Sequence, residues 1–344
     1  FGVDGATVSD IELDGVGVYL FGCTNITLER LHVVSAEVGV TAVGTRGLRL
    51  IAYRAEDVGR ALDAWNDTAS PLPVGDILVE RARVERAAHE AFRFAGGSNI
   101  TLRRVLVDGA ATALRVDGAT TVLVSQALFR GVGVGFWASN STDVTVVDSA
   151  FEGTATIGLL VEASTGVAAR NAFVGNAVHA SAPGSPSFAF NELLAGNYWT
   201  NWSAPDANSD GWADVPYNLS DGTGVDYRPR VVRWDFAPTA LAAAAWRAEV
   251  GLNSTLDARP SFDDFGVTEV YWQVFAPGDD ATGQGPTFEW TPNLTGPHLV
   301  RVTVVGSLGA TDEYEFPIEV LDSLPPSFTF APLGRPEAGA NITV

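Results

Sequence analysis

The 344-residue chain contains no lysine and no methionine, and it has a single cysteine. All 21 basic residues are therefore arginine, and against 41 acidic residues they leave a formal net charge of −20 at pH 7. This acidic balance argues against a nucleic-acid groove or an anionic membrane surface as a partner, since both attract positive charge. The lone Cys23 excludes an internal disulfide. We expect the chain to be a mature or excised piece of a longer precursor, because it also lacks a signal peptide.

Charged residues are scarce at 18 %, whereas hydrophobic residues make up 46 % of the chain. This composition indicates a folded protein, neither disordered nor a coiled coil. The 36 glycines and 18 prolines favour a turn-rich, strand-rich structure over a helical one. No charge-free stretch is apolar enough to insert into a membrane. We therefore predict an all-β protein, and the chain length suggests about two domains.

Asparagine is concentrated in glycosylation sequons. Nine of the 14 asparagines lie in Asn-x-Ser/Thr, whereas random placement would put about two there. The alternative is that the sequons carry no glycan and arise because Asn, Ser and Thr are all frequent in turns. The functional interpretation is an exported surface protein with N-linked glycans. The nine candidate sites are Asn25, Asn66, Asn99, Asn140, Asn201, Asn218, Asn253, Asn293 and Asn341.

A four-residue motif, a small polar residue followed by apolar-x-apolar, recurs along residues 1–199. Successive copies are separated by 22, 29, 23, 22, 22, 23 and 21 residues. Their first apolar positions are Ile26, Leu48, Ile77, Ile100, Val122, Val144, Val167 and Phe188. Two further apolar patches keep step, so each repeat encodes three short strands, which is one rung of a parallel β-helix. The fixed Leu and Asn ladder of leucine-rich repeats is missing, and the period is too short for helical repeats.

The one long interval, of 29 residues, contains Pro71 and Pro73. Proline cannot donate to a strand ladder, so we expect this segment to leave the stack as a loop that carries Asn66 outward.

The end of the repeat region resembles the NosD-type right-handed β-helix family. The residues that carry this resemblance are Gly-Asn-Tyr-Trp at 196–199, the Asp-rich run with Pro-Tyr-Asn at 206–218, and Asp-Tyr-Arg-Pro at 226–229. The resemblance covers residues 1–234 and implies a parallel β-helix over 1–199 with an Asp-rich tail over 200–234. The family's repeats also occur in carbohydrate-binding and sugar-hydrolase-like proteins.

The Asp-rich tail predicts a Ca²⁺ site. Oxygen ligands at alternate positions with Gly211 at the sixth match the needs of a hard cation. An Asx-turn loop that holds no metal is the alternative. The candidate ligands are Asp206, Asn208, Asp210, Asp214 and the Trp212 carbonyl.

Residues 235–323 lose the 22-residue period and alternate at period two between turns, which predicts a β-sandwich. Strand-like segments at 254–259, 270–274 and 296–304 resemble a polycystic-kidney-disease (PKD) type immunoglobulin-like module, and such modules are mostly spacers in surface proteins. Residues 324–344 resemble the start of a further immunoglobulin-like domain or an exchanged strand.

No constellation of catalytic residues emerges. Enzymes on β-helices use clustered carboxylates with Lys, Arg or His on adjacent rungs. Here the adjacent aspartate pairs, Asp263-Asp264 and Asp279-Asp280, fall outside the repeats, and no lysine exists. His32, His89 and His179 occupy different parts of the rung. We therefore expect no enzyme activity, with a polysaccharide lyase or hydrolase as the residual alternative.

Arginine is concentrated on the β-helix, where Arg30, Arg81 and Arg104 occupy equivalent rung positions beside Glu29 and Glu80. One interpretation is a solvated face of ion pairs. The other is a contact face for an acidic neighbour or an anionic glycan.

These observations favour a glycosylated structural or adhesive protein at the cell surface, such as a subunit of an extracellular filament or surface layer. The composition is similar to that of archaeal envelope proteins. The alternative is a carbohydrate-binding or carbohydrate-degrading β-helix, which a groove lined by exposed Trp and paired acids would favour. A periplasmic metal-maturation factor, as among NosD relatives, is weaker because the chain has no methionine and only one cysteine to act as soft metal ligands.

Both ends of the sequence look incomplete for a solenoid. Residues 1–5 run into the repeat with no covering segment, and residues 328–344 hold strand-like sequence too short to close a sandwich. Open solenoid ends normally require caps. We expect them to be completed by flanking domains of a longer chain or by copies of the same protein arranged head to tail.

Overall fold

The computed structural model of the protein describes residues 2–70, 72–245 and 247–323. These residues form strands, turns and loops without an α-helix. None of them builds a helix long and apolar enough to cross a membrane. The expectation of an all-β protein is confirmed. The strand-like sequence expected over 328–344 and the sequon at Asn341 lie outside the described residues.

The first two thirds of the chain form a β-solenoid of about 9 turns, built from nineteen strands that pair in parallel. The predicted β-helix is therefore confirmed. The strands are β1 Thr7–Asp14, β2 Val18–Phe21, β3 Thr27–Val34, β4 Val38–Val43, β5 Arg49–Ile51, β6 Arg54–Glu56, β7 Arg60–Trp65, β8 Gly75–Ala95, β9 Ser98–Asp117, β10 Thr120–Arg130, β11 Val134–Ser139, β12 Thr142–Val147, β13 Ala150–Glu152, β14 Ile157–Glu162, β15 Gly166–Ala169, β16 Ala172–Val174, β17 Ala180–Ser181, β18 Phe188–Ala189 and β19 Tyr198–Trp199.

The sequence repeat and the strand register coincide. Leu28 of one rung pairs with Leu50 of the next, Leu50 with Val79, and Val79 with Leu102. All four side chains are at most 2 % exposed, because alternate residues of each strand point into the solenoid. Between β7 and β8, residues 66–70 and 72–74 leave the stack without shifting this register, as the long interval predicts.

Aromatic rings stack along the core of the later rungs. The ring of Phe173 lies between those of Phe151 and Trp199, with centroids 4.9 Å and 4.4 Å away, and Tyr217 stacks on Trp199 at 4.4 Å. The planes of the first three rings lie within 8° of parallel. The parallel pairing of Phe151 with Phe173 and of Phe173 with Trp199 thus places one aromatic ring above the next in successive turns.

Two buried asparagines form a polar ladder beside this stack. The Asn197 Oδ1 atom accepts hydrogen bonds from the backbone N and the Nδ2 of Asn171, both at 3.0 Å. The Asn197 Nδ2 atom donates to the carbonyls of Ala168 and Phe190. Both asparagines are fully buried, and their bonds satisfy backbone groups inside the solenoid, including the carbonyls of Ala168 and Phe190.

One corner of the rung uses the left-handed backbone region without glycine. Arg30, Arg81 and Arg104 have φ angles of 50°, 55° and 57°. A side chain in this region costs about 1 kcal/mol. Arginine is present at this corner in spite of that cost. These three arginines are the ones that occupy equivalent rung positions in the sequence repeat.

The remaining strands lie in the tail and in the C-terminal β unit, which we define as residues 235–323. They are β20 Tyr217–Asn218, β21 Val225–Asp226, β22 Arg247–Glu249, β23 Ser254–Asp257, β24 Val267–Phe275, β25 Ala281–Gln284, β26 Thr287–Trp290, β27 Gly296–Gly306 and β28 Thr311–Leu321. A five-stranded sheet has the order β22-β28-β27-β24-β25, and β23 pairs with β26. Trp272 and Trp290 lie in its core. The strands expected near 254, 270 and 296 are therefore present.

We predict that Phe173→Ala lowers the free energy of unfolding by about 3 to 5 kcal/mol, because it opens a cavity inside the aromatic stack. Denaturant unfolding measures the change. Leu193→Ala is the control, since Leu193 is 88 % exposed and its removal should shift stability by less than about 0.5 kcal/mol. Equal effects of the two substitutions would contradict the core assignment.

Candidate functional site

The arginine corner of the β-helix contacts the C-terminal β unit through Asp312. The guanidinium of Arg81 binds both carboxylate oxygens of Asp312, and Arg104 Nη1 lies 3.1 Å from its Oδ1. Arg81 also donates to the carbonyls of Ala240 and Glu313 at 2.9 and 3.0 Å. The side chains of Arg81 and Asp312 are only 11 % and 9 % exposed. The acidic neighbour expected from the sequence is thus Asp312, which belongs to the same chain.

Arg30, the first arginine of this corner in the chain, is paired within the β-helix. Arg30 binds Asp10 at 2.5 Å and Glu29 at 2.6 Å. The corner therefore combines the two interpretations of its sequence, since ion pairs between rungs occur at Arg30 and a docked acidic partner occurs at Arg81 and Arg104.

Apolar contacts join the same two parts of the molecule. Leu106, Leu128 and Ala150 project from the second strand of successive rungs and are at most 4 % exposed. They belong to one buried cluster with Leu241 and Trp272 of the C-terminal β unit. The unit is thus packed against the outer face of the β-helix by both apolar burial and charge pairing.

Three carboxyl groups meet at the edge of this junction. Asp235, Asp263 and Asp264 place ligand atoms within 4.8 Å of one another, the one such trio of acidic, His or Cys residues in the described ranges. Arg233 pairs with Asp264 at 3.1 Å and also with Glu152 of the β-helix. One oxygen of Asp263 is buried without a hydrogen-bond partner. The sequence reveals the Asp263-Asp264 pair, but Asp235 joins it only through folding.

Burial changes the proton affinity of these groups. It raises the pKa of Asp264 from 3.8 to about 6, and Arg233 offsets only part of this shift. The pKa values of Asp263 and Asp235 are also raised, chiefly by burial. The cluster therefore holds protons more tightly than ordinary aspartates do.

The Asp-rich loop uses its side chains on its own backbone. Asp206 accepts from the backbone N of Asp210 at 3.0 Å and of Gly211 at 2.9 Å, and Asp214 accepts from the N of Ala207 at 2.8 Å. Its three carboxylates are not gathered as closely as those at the junction. These hydrogen bonds are those of an Asx-turn loop, and Ca²⁺ binding through Asp206, Asn208, Asp210, Asp214 and the Trp212 carbonyl stays a prediction.

The histidines are placed in separate surroundings. His32 lies 3.2 Å from Glu56 and 3.7 Å from Glu12, whereas His179 is buried beside Asn176 and Thr200. Burial lowers the pKa of His179 to about 4, so this imidazole is neutral at pH 7.

A cleft of about 620 Å³ separates part of the β-helix from the C-terminal β unit. Arg30, His32 and Arg54 line one side, and Thr255 and Asp257 line the other. The Arg54 Nε atom is buried without a hydrogen-bond partner. The cleft therefore offers charged groups of both signs and one unused donor.

Tryptophan does not form an exposed platform in the described residues. Trp199, Trp272 and Trp290 are buried. The five others of the described set are half-buried, and Trp137 is covered by the guanidinium of Arg115, 4.2 Å from its ring, while its Nε1 donates to Glu162. The exposed Trp that would favour a carbohydrate groove is thus not seen there.

No protein-family model matches the sequence, and no curated protein matches it. Among solved structures, one on the promiscuous specificity of carbohydrate-binding modules of the β-sandwich superfamily is 24 % identical over 25 % of this chain and 35 % of its own, with a TM-score of 0.23. The PKD1 domain of Vibrio anguillarum Epp is 21 % identical over 26 % of this chain and 99 % of its own, also at 0.23.

A third solved structure, the tailspike gp49 of Acinetobacter baumannii bacteriophage Fri1, is a capsular polysaccharide depolymerase. It is 8 % identical over 88 % of this chain and 63 % of its own, with a TM-score of 0.25. The chain thus spans about a third of the first structure and less than two thirds of this one. The β-helix assignment rests on the strand pairing described above.

We predict that Asp264 contributes a fall in the free energy of unfolding as the pH rises from about 4 to 6, because folded Asp264 keeps a proton that the unfolded chain releases. Buried His179 contributes a rise over the same range and Asp226, whose pKa burial also raises to about 6, contributes a further fall, so the parent and the variant must be compared. The contribution of Asp264 is worth about 3 kcal/mol, and Asp264→Asn should change the pH 4–6 slope by that amount. Asp257→Asn is the control. Burial of Asp257 is outweighed by Arg259, its pKa is lowered, and this variant should keep the pH 4–6 slope. An unchanged slope in Asp264→Asn would contradict the prediction.

For the Asp-rich loop, we predict that millimolar Ca²⁺ raises the melting temperature and that a chelator reverses the rise, since a ligand that binds only the folded state stabilises it. Asp206→Asn should abolish the difference, whereas Asp143→Asn on a distant rung should keep it. A melting temperature that ignores Ca²⁺ supports the metal-free Asx-turn loop. A shift lost in Asp264→Asn but kept in Asp206→Asn would place the ion at the junction.

Proposed function

We propose that this protein is a structural or adhesive element of the cell surface, in which a rigid β-helix and its docked C-terminal β unit build an extended body. The observation that carries the proposal is the pairing of Arg81 and Arg104 with Asp312. It fixes the two parts in one arrangement through a half-buried charge network.

The outer faces of the β-helix support this role. Their charged groups are used between rungs, as in the pairs Arg93–Asp63 at 2.8 Å and Arg60–Glu90 at 2.9 Å. Each pair contributes little by itself at the surface. Repeated on adjacent rungs, such pairs stiffen the solenoid along its length.

Strand β1, at the N-terminal end of the solenoid, indicates how copies of the protein would assemble. Val8, Ile11 and Leu13 of β1 are in register with the buried Leu28, Leu31 and Val33 of β3. In the described chain β1 pairs only with β3, and Val8 is 38 % exposed. Another rung of matching register would cover this apolar surface and pair the strand edge. We propose that a second copy supplies it, and a flanking part of a longer chain is the other source.

On this proposal the C-terminal β unit is a PKD-like, immunoglobulin-like β-sandwich that acts as a spacer, and the solenoid is a right-handed helix of NosD type. The pairing of β23 with β26 beside the five-stranded sheet supports the first assignment. The buried Asn197 and Trp199 of the Gly-Asn-Tyr-Trp motif support the second. The whole is extracellular.

A second candidate, a carbohydrate-binding or carbohydrate-degrading protein, is favoured by the cleft. Its Arg30, Arg54 and Asp257 could each hydrogen-bond sugar hydroxyls or an acidic sugar. On that function Arg54→Ala would remove glycan binding, and turnover of a polysaccharide would be lost with a single substitution on the outer face.

Electron microscopy and sedimentation at rising concentration test the structural role. We expect ordered polymers that lengthen with concentration, because a head-to-tail contact that does not close makes open filaments. Val8→Asp should block them by placing a charge on the exposed apolar surface of β1. Val215→Asp is the control at a comparably exposed site of the tail, 43 % exposed in the parent, and should polymerise normally.

A monodisperse monomer at high concentration would overturn the assembly step. Binding on a glycan panel that Arg54→Ala abolishes, combined with a monomeric state, would decide for the carbohydrate function instead.

A further inference from the structure

Asparagines inside sequons are more exposed in the structure than asparagines outside sequons. Every sequon asparagine among the described residues is exposed. Of the five other asparagines, Asn171 and Asn197 are buried, Asn176 and Asn191 are half-buried, and only Asn208 is exposed. If sequons arose only because Asn, Ser and Thr share turns, the non-sequon asparagines should be exposed as often.

Four of these sequons lie on one edge of the β-helix. We define the glycan edge as the segments that join the third strand of one rung to the first strand of the next, together with the first residues of that next strand. These are residues 22–25, 44–47, 66–70, 72–76, 96–99, 118–121 and 140–143. Asn25 and Asn99 occupy one corner of this edge and lie three rungs apart. Asn66 and Asn140 occupy its other corner and also lie three rungs apart, which is about 14 Å at the strand spacing.

The C-terminal β unit docks on a different part of the rung. Its contacts come from the arginine corner, at Arg81 and Arg104, and from the outer face of the second strand, at Leu106. Within each rung the third strand separates that face from the glycan edge on one side, and the first strand separates the arginine corner from it on the other. Bulky groups on the edge would therefore leave the docked face undisturbed.

The nitrogen that would carry a glycan is held by a carboxylate at several sites. Nδ2 of Asn25 donates to Asp4 at 2.9 Å, and Nδ2 of Asn99 donates to Asp76 at 2.8 Å, in each case across one rung. Asn140 donates to Asp117 at 3.2 Å in the same manner. Asn253 and Asn293 of the C-terminal β unit donate to Glu289 and Asp279.

We infer that the glycan edge is a built modification surface that carries N-linked glycans at Asn25, Asn66, Asn99 and Asn140. The co-reactant is a phosphate-activated glycan donor of the exporting cell. Nδ2 forms a bond to the anomeric carbon, the bond from that carbon to the phosphate oxygen breaks, and the phosphate leaves with the electron pair. Nδ2 loses one proton and keeps the other, so it can still donate one hydrogen bond after modification.

The inference rests on the exported location within the proposed function but not on assembly. Chain purified from the cells that produce it is the material for intact-mass measurement and glycopeptide mapping. We expect glycan mass at the four edge sites and none at Asn208, the matched exposed asparagine outside a sequon.

Variants at position 27 make the test specific. Thr27→Ala keeps Asn25 exposed and beside Asp4 but ends the sequon, so it should lose one glycan mass, whereas Thr27→Ser should keep it. Glycosylated protein that stays monomeric would support the inference while rejecting the assembly step. An intact mass equal to the bare chain, or a glycan kept at Asn25 in Thr27→Ala, would overturn it.

Discussion

Backbone hydrogen bonds between successive rungs hold the solenoid together, and every other feature of the molecule depends on them. Arg49 N donates to Ile26 O at 2.8 Å, and Leu78 N donates to Leu48 O at 2.8 Å, one rung after another. Because the ladder is parallel and in register, each rung repeats the position of the one before it. Residues at equivalent positions of successive rungs therefore lie above one another along the solenoid. This stacking produces the aromatic core stack, the arginine corner and the glycan edge.

The acidic balance of the chain coexists with arginines that have defined partners. Arg81 and Arg104 neutralise Asp312 where it is buried, and Arg233 joins Asp264 to Glu152 across the same junction. Guanidinium suits these places because its planar donors reach two acceptors at once, which a lysine ammonium does not.

Much of the β-helix is readable from sequence because its signal repeats. The spacing from Ile26 to Ile100 fixes the rung length, and burial of both residues follows from alternation. The junction is different, since Asp312 lies 231 residues from Arg81 and no period links them. The trio of Asp235, Asp263 and Asp264 is likewise made by folding. Asn197 can be recognised in the sequence as part of a motif, but its role as a buried hydrogen-bonding group cannot.

The loop at residues 66–74 shows how the solenoid tolerates change in chain length. The chain leaves the stack after Trp65 and rejoins it at Gly75, where Asn66 accepts a hydrogen bond from Val74 N at 2.7 Å and closes the excursion. The two ends of the excursion are fixed, because Val74 is buried in the core and Asn66 holds its backbone, whereas Thr68 and Ala69 between them are exposed. Since the rungs on either side keep their register, the exposed part can change in length or sequence between these fixed ends. A foreign epitope grafted there would be displayed on a scaffold that stays the same.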